Sequence, residues 1–325
     1  MKEQLEASAA LLQHGQDALA RGDWLAARAA FESCLEEGES PAAFEALGMA
    51  AFWLEDAAAT IGSRECAYRL YRASGDRSGA ARMAILLADD YFTFRNQKQV
   101  ANGWLQRARR LLQDADPSAE HCLLTCEAGY LALLAGHDVA GAGRYGREAS
   151  ELARRLDLFD FEMFGLALEG LALVHRGDVQ DGMARLDEAA TAATNGEVAD
   201  PSIGGAICCF LIFACEWVCD YTRAAVWCER VTELGNQWQL NSLLAICGAH
   251  YGAVLMSQGL WDAAEEQLTN ASSTLGAIRP ALATEAIVRL GELRRRQGRW
   301  TQAASLFEAS ALHPHSLLGQ AALAL

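Results

Sequence analysis

The sequence predicts an all-α protein: a right-handed superhelical solenoid of about eight helix-turn-helix repeats with a period near 40, plus a final unpaired helix. Three observations carry this. A turn motif recurs, first as Gly15-Gln-Asp-Ala-Leu-Ala-Arg-Gly22-Asp-Trp-Leu-Ala-Ala27, with turn positions at Gly22, Glu55, Asn96, Gly136, Gly177, Cys219, Gly259 and Gly298. Fixed spacing of a supersecondary unit is the signature of a repeat array. Five residues after each turn comes a small side chain, at Ala27, Thr60, Ala101, Gly141, Gly182, Ala224, Ala264 and Ala303. Closely crossing helices need one there. The prolines Pro41, Pro117, Pro201, Pro280 and Pro314 all fall just before the first helix of a unit, where the missing N–H costs nothing.

Taken in order, the repeats span about 4–37, 41–74, 77–114, 117–156, 160–196, 200–236, 239–276 and 280–311, with a terminal helix over 314–325. Each contains a first (A) and second (B) helix. In the first unit Phe31 stands four residues beyond Ala27 to fill the groove beside it; Leu105, Tyr145, Leu186, Leu268 and Phe307 stand in the same place later. Ser40, Asp116 and Asp200 precede three of the prolines as N-caps. Trp24, Tyr221, Trp261 and Trp300 cap turns. The third unit is irregular, with Asp89 where a glycine is expected and Thr93-Phe-Arg-Asn-Gln-Lys-Gln-Val100 between its helices. The sixth has Ile212 at the glycine position, and its A helix is apolar nearly all round, which reads as burial. The last stretch, His313 to Leu325, reads as an A helix without its B helix; its apolar end is expected where a chain continues or packs on something else.

Composition narrows the function. A chain of 325 residues with 52% hydrophobic residues is not disordered, and a repeat array escapes the size limit of a single core. The net charge of −15 disfavours binding to nucleic acid or anionic membrane. Lysine occurs only at Lys2 and Lys98, so a Walker-type phosphate loop is excluded. Glu3 and Glu6 stand where a secretion signal would be apolar. The longest apolar run, Ile203 to Val218, contains Glu216 and is shorter than the about 20 residues a bilayer requires. The expectation is a cytoplasmic protein with reduced cysteines.

The units around GDWLAARAAFE, YRLYRASGD, VANGWLQRARRLL and ALATEAIVRLGELRRRQGRW resemble the tetratricopeptide superfamily, with a period longer than its usual 34 residues. More narrowly they resemble the helical arrays of large ATP-dependent LuxR-family bacterial regulators. The likeness covers essentially the whole chain. It implies a non-catalytic sensor or interaction segment that receives a partner or inducer. In that family an ATPase and a DNA-binding module flank the array; neither is recognisable here, so this segment is expected to have no cofactor and no direct contact with nucleic acid.

In tetratricopeptide arrays the A helices line a concave face. Carried over position by position, the inward residues are Glu45, Met49, Phe52 and Trp53; Met83, Asp90 and Phe94; Cys126 and Tyr130; Phe164 and His175; Phe213, Glu216 and Trp217; Met256; and Glu285, Glu292, Arg295 and Arg296. Peptide-carboxylate clamps of the superfamily use Lys, Arg and Asn there. This face is instead aromatic, Met-rich and acidic, which fits a protein or peptide partner, amphipathic or hydrophobic, or a small apolar ligand. The competing reading makes the same aromatics plain inter-repeat core. Cys208, Cys209, Cys215, Cys219, Cys228 and Cys247 cluster in two units; lying in apolar helix without a short loop pair, they read as buried thiols rather than a zinc site. Arg294-Arg-Arg296 with Glu292 reads as a solvated face of ion pairs. The alternative function is an enzyme or accessory subunit using the cysteines, or an acidic pocket around Glu45, Asp90 and Glu216.

Overall fold

The computed structural model describes residues 2–238, 241–311 and 313–324, with side chains outside 2–8 and 237–238. Seventeen helices, and no strand, occur among them: α1 Lys2–Ala20, α2 Trp24–Glu37, α3 Pro41–Trp53, α4 Ala57–Ser74, α5 Arg77–Thr93, α6 Lys98–Leu112, α7 Ala119–Leu134, α8 Val139–Arg155, α9 Phe159–Arg176, α10 Val179–Thr194, α11 Pro201–Trp217, α12 Tyr221–Trp238, α13 Asn241–Ser257, α14 Trp261–Ile278, α15 Pro280–Arg296, α16 Trp300–Ala309 and α17 Pro314–Ala324. Odd-numbered helices are the A helices, even-numbered ones the B helices. Positions 239 and 325, where the seventh repeat and terminal helix were set to begin and end, lie outside the described residues. The chain divides into two compact units, Met1–Leu131 and Ala132–Leu325.

Local chemistry sets the hairpins. The turn between A and B helices contains one left-handed residue: Gly22, Glu55, Asn96, His137, Gly177, Cys219, Gly259 or Gly298. Seven of these are the positions marked by the sequence. In the fourth hairpin the left-handed residue is His137 (φ 50°) rather than Gly136, so the repeat phase slips by one. The slip explains that hairpin's packing: the small position becomes Ala142, fully buried, and the groove-filling position becomes Gly146 rather than Tyr145. Asp side chains then start the B helices. Asp23, Asp56 and Asp138 each accept from the backbone N–H three residues on, satisfying an otherwise orphaned donor. Four prolines are the first residues of α3, α11, α15 and α17. Pro117 stands two residues before α7, which leaves Asp116 short of the helix start; the Ser118 carbonyl instead accepts from Cys122 N–H.

Within a hairpin, packing follows one rule. A glycine on the A helix faces a large side chain sixteen residues later on the B helix: Gly15 with Phe31, Gly170 with Leu186, Gly252 with Leu268, Gly291 with Phe307. A Cβ at Gly15, Gly252 or Gly291 would collide with that side chain, and one at Gly170 would crowd Leu186 and strike the Gly182 carbonyl oxygen. Phe31, Leu186, Leu268 and Phe307 are correspondingly sealed from solvent, each worth roughly 1.5–3 kcal/mol of burial. The second hairpin keeps the geometry but changes the chemistry, placing Arg64 against Gly48. At α8–α9 the rule is inverted: Gly146 meets Gly165 backbone to backbone, a Cβ on Gly146 falling 2.7 Å from the Gly165 oxygen. Helices also pack A on A within each unit, α1 on α3 in the first and α9, α11, α13, α15 and α17 serially in the second. No described helix is long and apolar enough to cross a membrane.

Candidate functional site

In the first unit the inward residues split into two groups. At the C-terminal ends of α3 and α5, Phe52 meets Trp53 and Phe94 edge-on at centroid distances of 5.2 and 6.0 Å, and Trp53 stacks on Trp24 at 5.3 Å. The Arg64 guanidinium covers the Phe52 ring and pairs with Asp90 at 2.6 Å, both fully buried. Met83 and Phe94 are sealed in the same core, while Met49 and Tyr130 are half-buried. Burial and the neighbouring Asp89 and Asp90 hold the Glu127 carboxyl well above the ordinary carboxylate range. The second group is polar. Glu45 on α3 takes a bidentate ion pair from Arg82 on α5 and a hydrogen bond from Tyr71, and Arg82 also reaches Glu120 on α7 at 2.8 Å. Each of the three nitrogens of that guanidinium donates to a carboxylate on a neighbouring A helix.

The second unit joins the two kinds of group. Glu216 on α11 receives Arg289 from α15, 73 residues away, at 2.6 Å, and His250 Nδ1 from α13 at 2.9 Å. Arg289 also pairs with Glu285 one turn earlier, and Glu285 accepts from His313 Nε2 at 3.1 Å. Three successive A helices are therefore tied by one buried guanidinium. The Arg289 charge and the His250 hydrogen bond hold the Glu216 carboxyl down to about 2 against the desolvation that raises it. Glu285 is likewise held well below the ordinary range by Arg289 and His313, again against desolvation.

Beside this network lie the aromatics. Phe213 approaches His250 at 6.0 Å and His175 at 5.5 Å, and His175 stacks on Trp217 at 4.0 Å. Trp217 remains 50% exposed, whereas the histidine Nε2 beneath it is buried without a hydrogen-bond partner. Burial lowers the His175 pKa, favouring the neutral ring. Phe164 is buried against Phe210 and belongs to the core. The resulting site offers an exposed indole, an unsatisfied imidazole nitrogen and two partly exposed carboxylates sharing one arginine.

The inward rule thus brings together His175, Phe213, Glu216 and Trp217, and separately Phe52, Trp53 and Phe94. Glu45 and Asp90 lie in one compact unit and Glu216 in the other, each already paired with an arginine. The rule missed His250, Arg289, His313 and Arg82. A signal existed for two of them: His250 and Arg289 each stand nine residues before a left-handed turn residue, in consecutive hairpins. Met256 is buried on α13, and Cys126 is buried on α7. Glu292 pairs within its helix with Arg295 and Arg296. The thiols of Cys208, Cys215, Cys228 and Cys247 are buried, and desolvation contributes to raising each above the ordinary thiol range, Cys215 and Cys228 to about 12. Such thiols are poor nucleophiles and poor metal ligands. Among the described residues no three His, Cys, Asp or Glu side chains converge as a metal site.

No protein-family model and no curated protein sequence matches the chain. Solved structures do. A Rap protein complexed with competence and sporulation factor superposes with a TM-score of 0.66 at 14% identity, over 98% of this chain and 99% of that one. The apo form of the quorum sensor NprR from B. thuringiensis gives 0.50 at 12% identity, over 85% and 78% of the two chains. At such identities the likeness concerns architecture alone: the chain shares with these two structures an all-α array of helical hairpins of the kind described above.

Proposed function

We propose that this chain is the non-catalytic receptor or docking segment of a bacterial signalling or transcriptional regulator, working in the cytoplasm and binding a peptide or protein segment on the A-helix face of its second unit. The observation that carries this reading is the Trp217–His175 stack beside Glu216, an exposed indole over an imidazole nitrogen that lacks a partner. Tryptophan is among the residues in which the binding energy of an interface concentrates once a partner covers it. The whole-chain likeness to a Rap protein complexed with competence and sporulation factor supports the same role. Glu216 and Glu285 outnumber Arg289 in formal charge, which favours an amphipathic segment with apolar and cationic side chains over an acidic one. The enzymatic alternative finds less support, since Cys208, Cys215, Cys228 and Cys247 are buried with raised pKa, although Cys209 is half-buried and Cys219 exposed, and the acidic residues are engaged with arginine.

The test is a selection of short peptides on the intact protein, followed by affinity measurement on Trp217→Ala. Trp217 is half-exposed, so the variant is expected to keep its helical content while selected peptides bind at least about tenfold more weakly, as loss of an interface tryptophan typically costs 2 kcal/mol or more. Peptides that bind the variant undiminished would move the site elsewhere. A selection yielding no binder beyond those of an unrelated helical-repeat protein would sink the receptor reading.

A further inference from the structure

The outer, B-helix face of the first unit carries a feature that peptide reception does not use. Between α4 and α6 lies a cleft of about 570 Å³ lined by Tyr68, Arg69, Arg72, Arg107, Arg110 and Leu111. Arg69 and Arg72 are one turn apart on α4, and Arg107 and Arg110 one turn apart on α6, so each helix presents a pair of guanidinium groups to the same space. All four are exposed. Arg107 is held in place by ring faces, 4.9 Å from the Trp104 centroid and 6.0 Å from that of Tyr68, two rings that themselves meet edge-on.

What sets the cluster apart is convergence: four arginines with no carboxylate partner among the described residues line one cleft, whereas about half of the arginines of this molecule are ion-paired. Arg28, Arg64, Arg82, Arg147, Arg154, Arg185, Arg289, Arg294 and Arg299 each face a carboxylate. Among the described residues none pairs with the four cleft arginines, in a chain with 42 acidic residues against 27 basic ones. Among the described residues, the hydrogen bonds of their side chains are confined to Arg69 donating to the Cys66 sulfur at 3.1 Å. Capping of the α4 and α6 carbonyl ends accounts for Arg72 and Arg110; it does not account for Arg69 and Arg107, which stand a turn earlier. Convergent like charges repel unless an anion lies between them, and the planar guanidinium fork matches phosphate oxygens two at a time.

We propose that this cleft is a binding site for a compact polyphosphate group, the di- or triphosphate of a small molecule. Its volume lies within the range of small-ligand sites, about 300–1,000 Å³, and four forks supply donors for a short chain of phosphates. The net charge of −15 repels an extended polyanion such as nucleic acid but leaves a local well of positive potential for a small one. Trp104 and Tyr68 at the margin offer apolar contact to whatever the phosphates are attached to.

Calorimetric titration of the full chain with inorganic tripolyphosphate and with ATP at 0.15 M salt tests this. Tripolyphosphate is expected to bind one to one in the micromolar to sub-millimolar range, and Arg72→Gln/Arg107→Gln, one change on each helix, to weaken it at least tenfold with circular dichroism unchanged. The double change Arg154→Gln/Arg176→Gln, which removes equal charge from exposed positions of the second unit, is expected to weaken it less than twofold. ATP binding more tightly than tripolyphosphate would assign a nucleotide, with its base on Trp104 and Tyr68; equal affinities would assign the phosphate chain alone. Absence of saturable binding to either ligand, or equal losses in the two double variants, would overturn the proposal. Should the cleft variant lose helix, Arg69→Gln alone is to show the same direction of change.

Discussion

The two compact units solve the same problem in different ways. Each ties successive A helices together with a carboxylate–arginine relay, Glu45–Arg82–Glu120 in the first and Glu216–Arg289–Glu285 in the second. In the first, the relay is partly open to water while the aromatics Phe52, Trp53 and Phe94 pack away from it under Arg64 and Trp24. In the second, the arginine is buried, histidines join the relay, and the aromatics lie against it with Trp217 left exposed. The lesson is that inward-facing residue types do not make a binding face. Buried charge merged with an uncovered aromatic is what supports the proposed one, because ligand contact could there replace water over a fixed polar framework.

The comparison breaks most readily at the arginines. Arg289→Met leaves Glu216 and Glu285 with only His250 and His313 as partners and is expected to cost about 3 kcal/mol, read as loss of hydrogen-exchange protection in α11, α13 and α15. Arg82→Met removes a pair that water can replace and should cost about 1 kcal/mol. Equal losses would erase the distinction between the units.

Acidification separates them next. Glu216 has a folded pKa of about 2, below its unfolded value, so its contribution is complete above about pH 4.5 and is lost as pH falls from there toward 2. His175 and His315 are also depressed by burial; their neutral-state contribution is present above about pH 6.5 and is lost as pH drops below that value. Glu127 runs the other way: its folded pKa is raised, so its contribution is present at low pH and is lost as pH rises through that value. Exchange protection compared at pH 7.5 and 5.5 should therefore fall in α9 and around α17 while α7 holds or gains. Uniform loosening would contradict this.

At neutral pH the same carboxyl makes a smaller prediction. Glu127→Gln keeps the shape without the ionisable group and should stabilise the first unit by roughly 1 kcal/mol at pH 7.5, with the gain vanishing near pH 4 in denaturant titrations. Smallest of all are the strained turns. Glu55 and Cys219 hold φ of 59° and 60° in equivalent turns of the two units. Replacing either with glycine should raise stability by about 1 kcal/mol or less, equally in both units, as a thermal melt would show.

Much of the fold was legible because it rests on local chemistry. A left-handed turn residue, a capping Asp, a proline at a first helical position and a small residue five beyond the turn are each constrained by a few neighbouring residues, and together they set the phase of the hairpins. The exception, His137 in place of Gly136, shows the limit: the local pattern favours glycine, whereas the observed phase is the one that sets Gly146 against Gly165. Of the second-unit site, His175, Phe213, Glu216 and Trp217 could be read from their positions on the A helices, since helical periodicity places them on one face. Their partners could not. Arg289 finds Glu216 across 73 residues, and no local pattern distinguishes it from arginines that pair within their own helix, as Arg295 does with Glu292. Nor does sequence foretell Arg64 where five other hairpins bury Phe or Leu; that arginine is met there by Asp90 from the next helix. The sequence by itself determined helix, turn and repeat phase, since those obey short-range sterics and hydrogen bonding. Which inward residues became core and which became a site was decided only by tertiary packing, because burial and charge pairing depend on side chains that distant helices bring together.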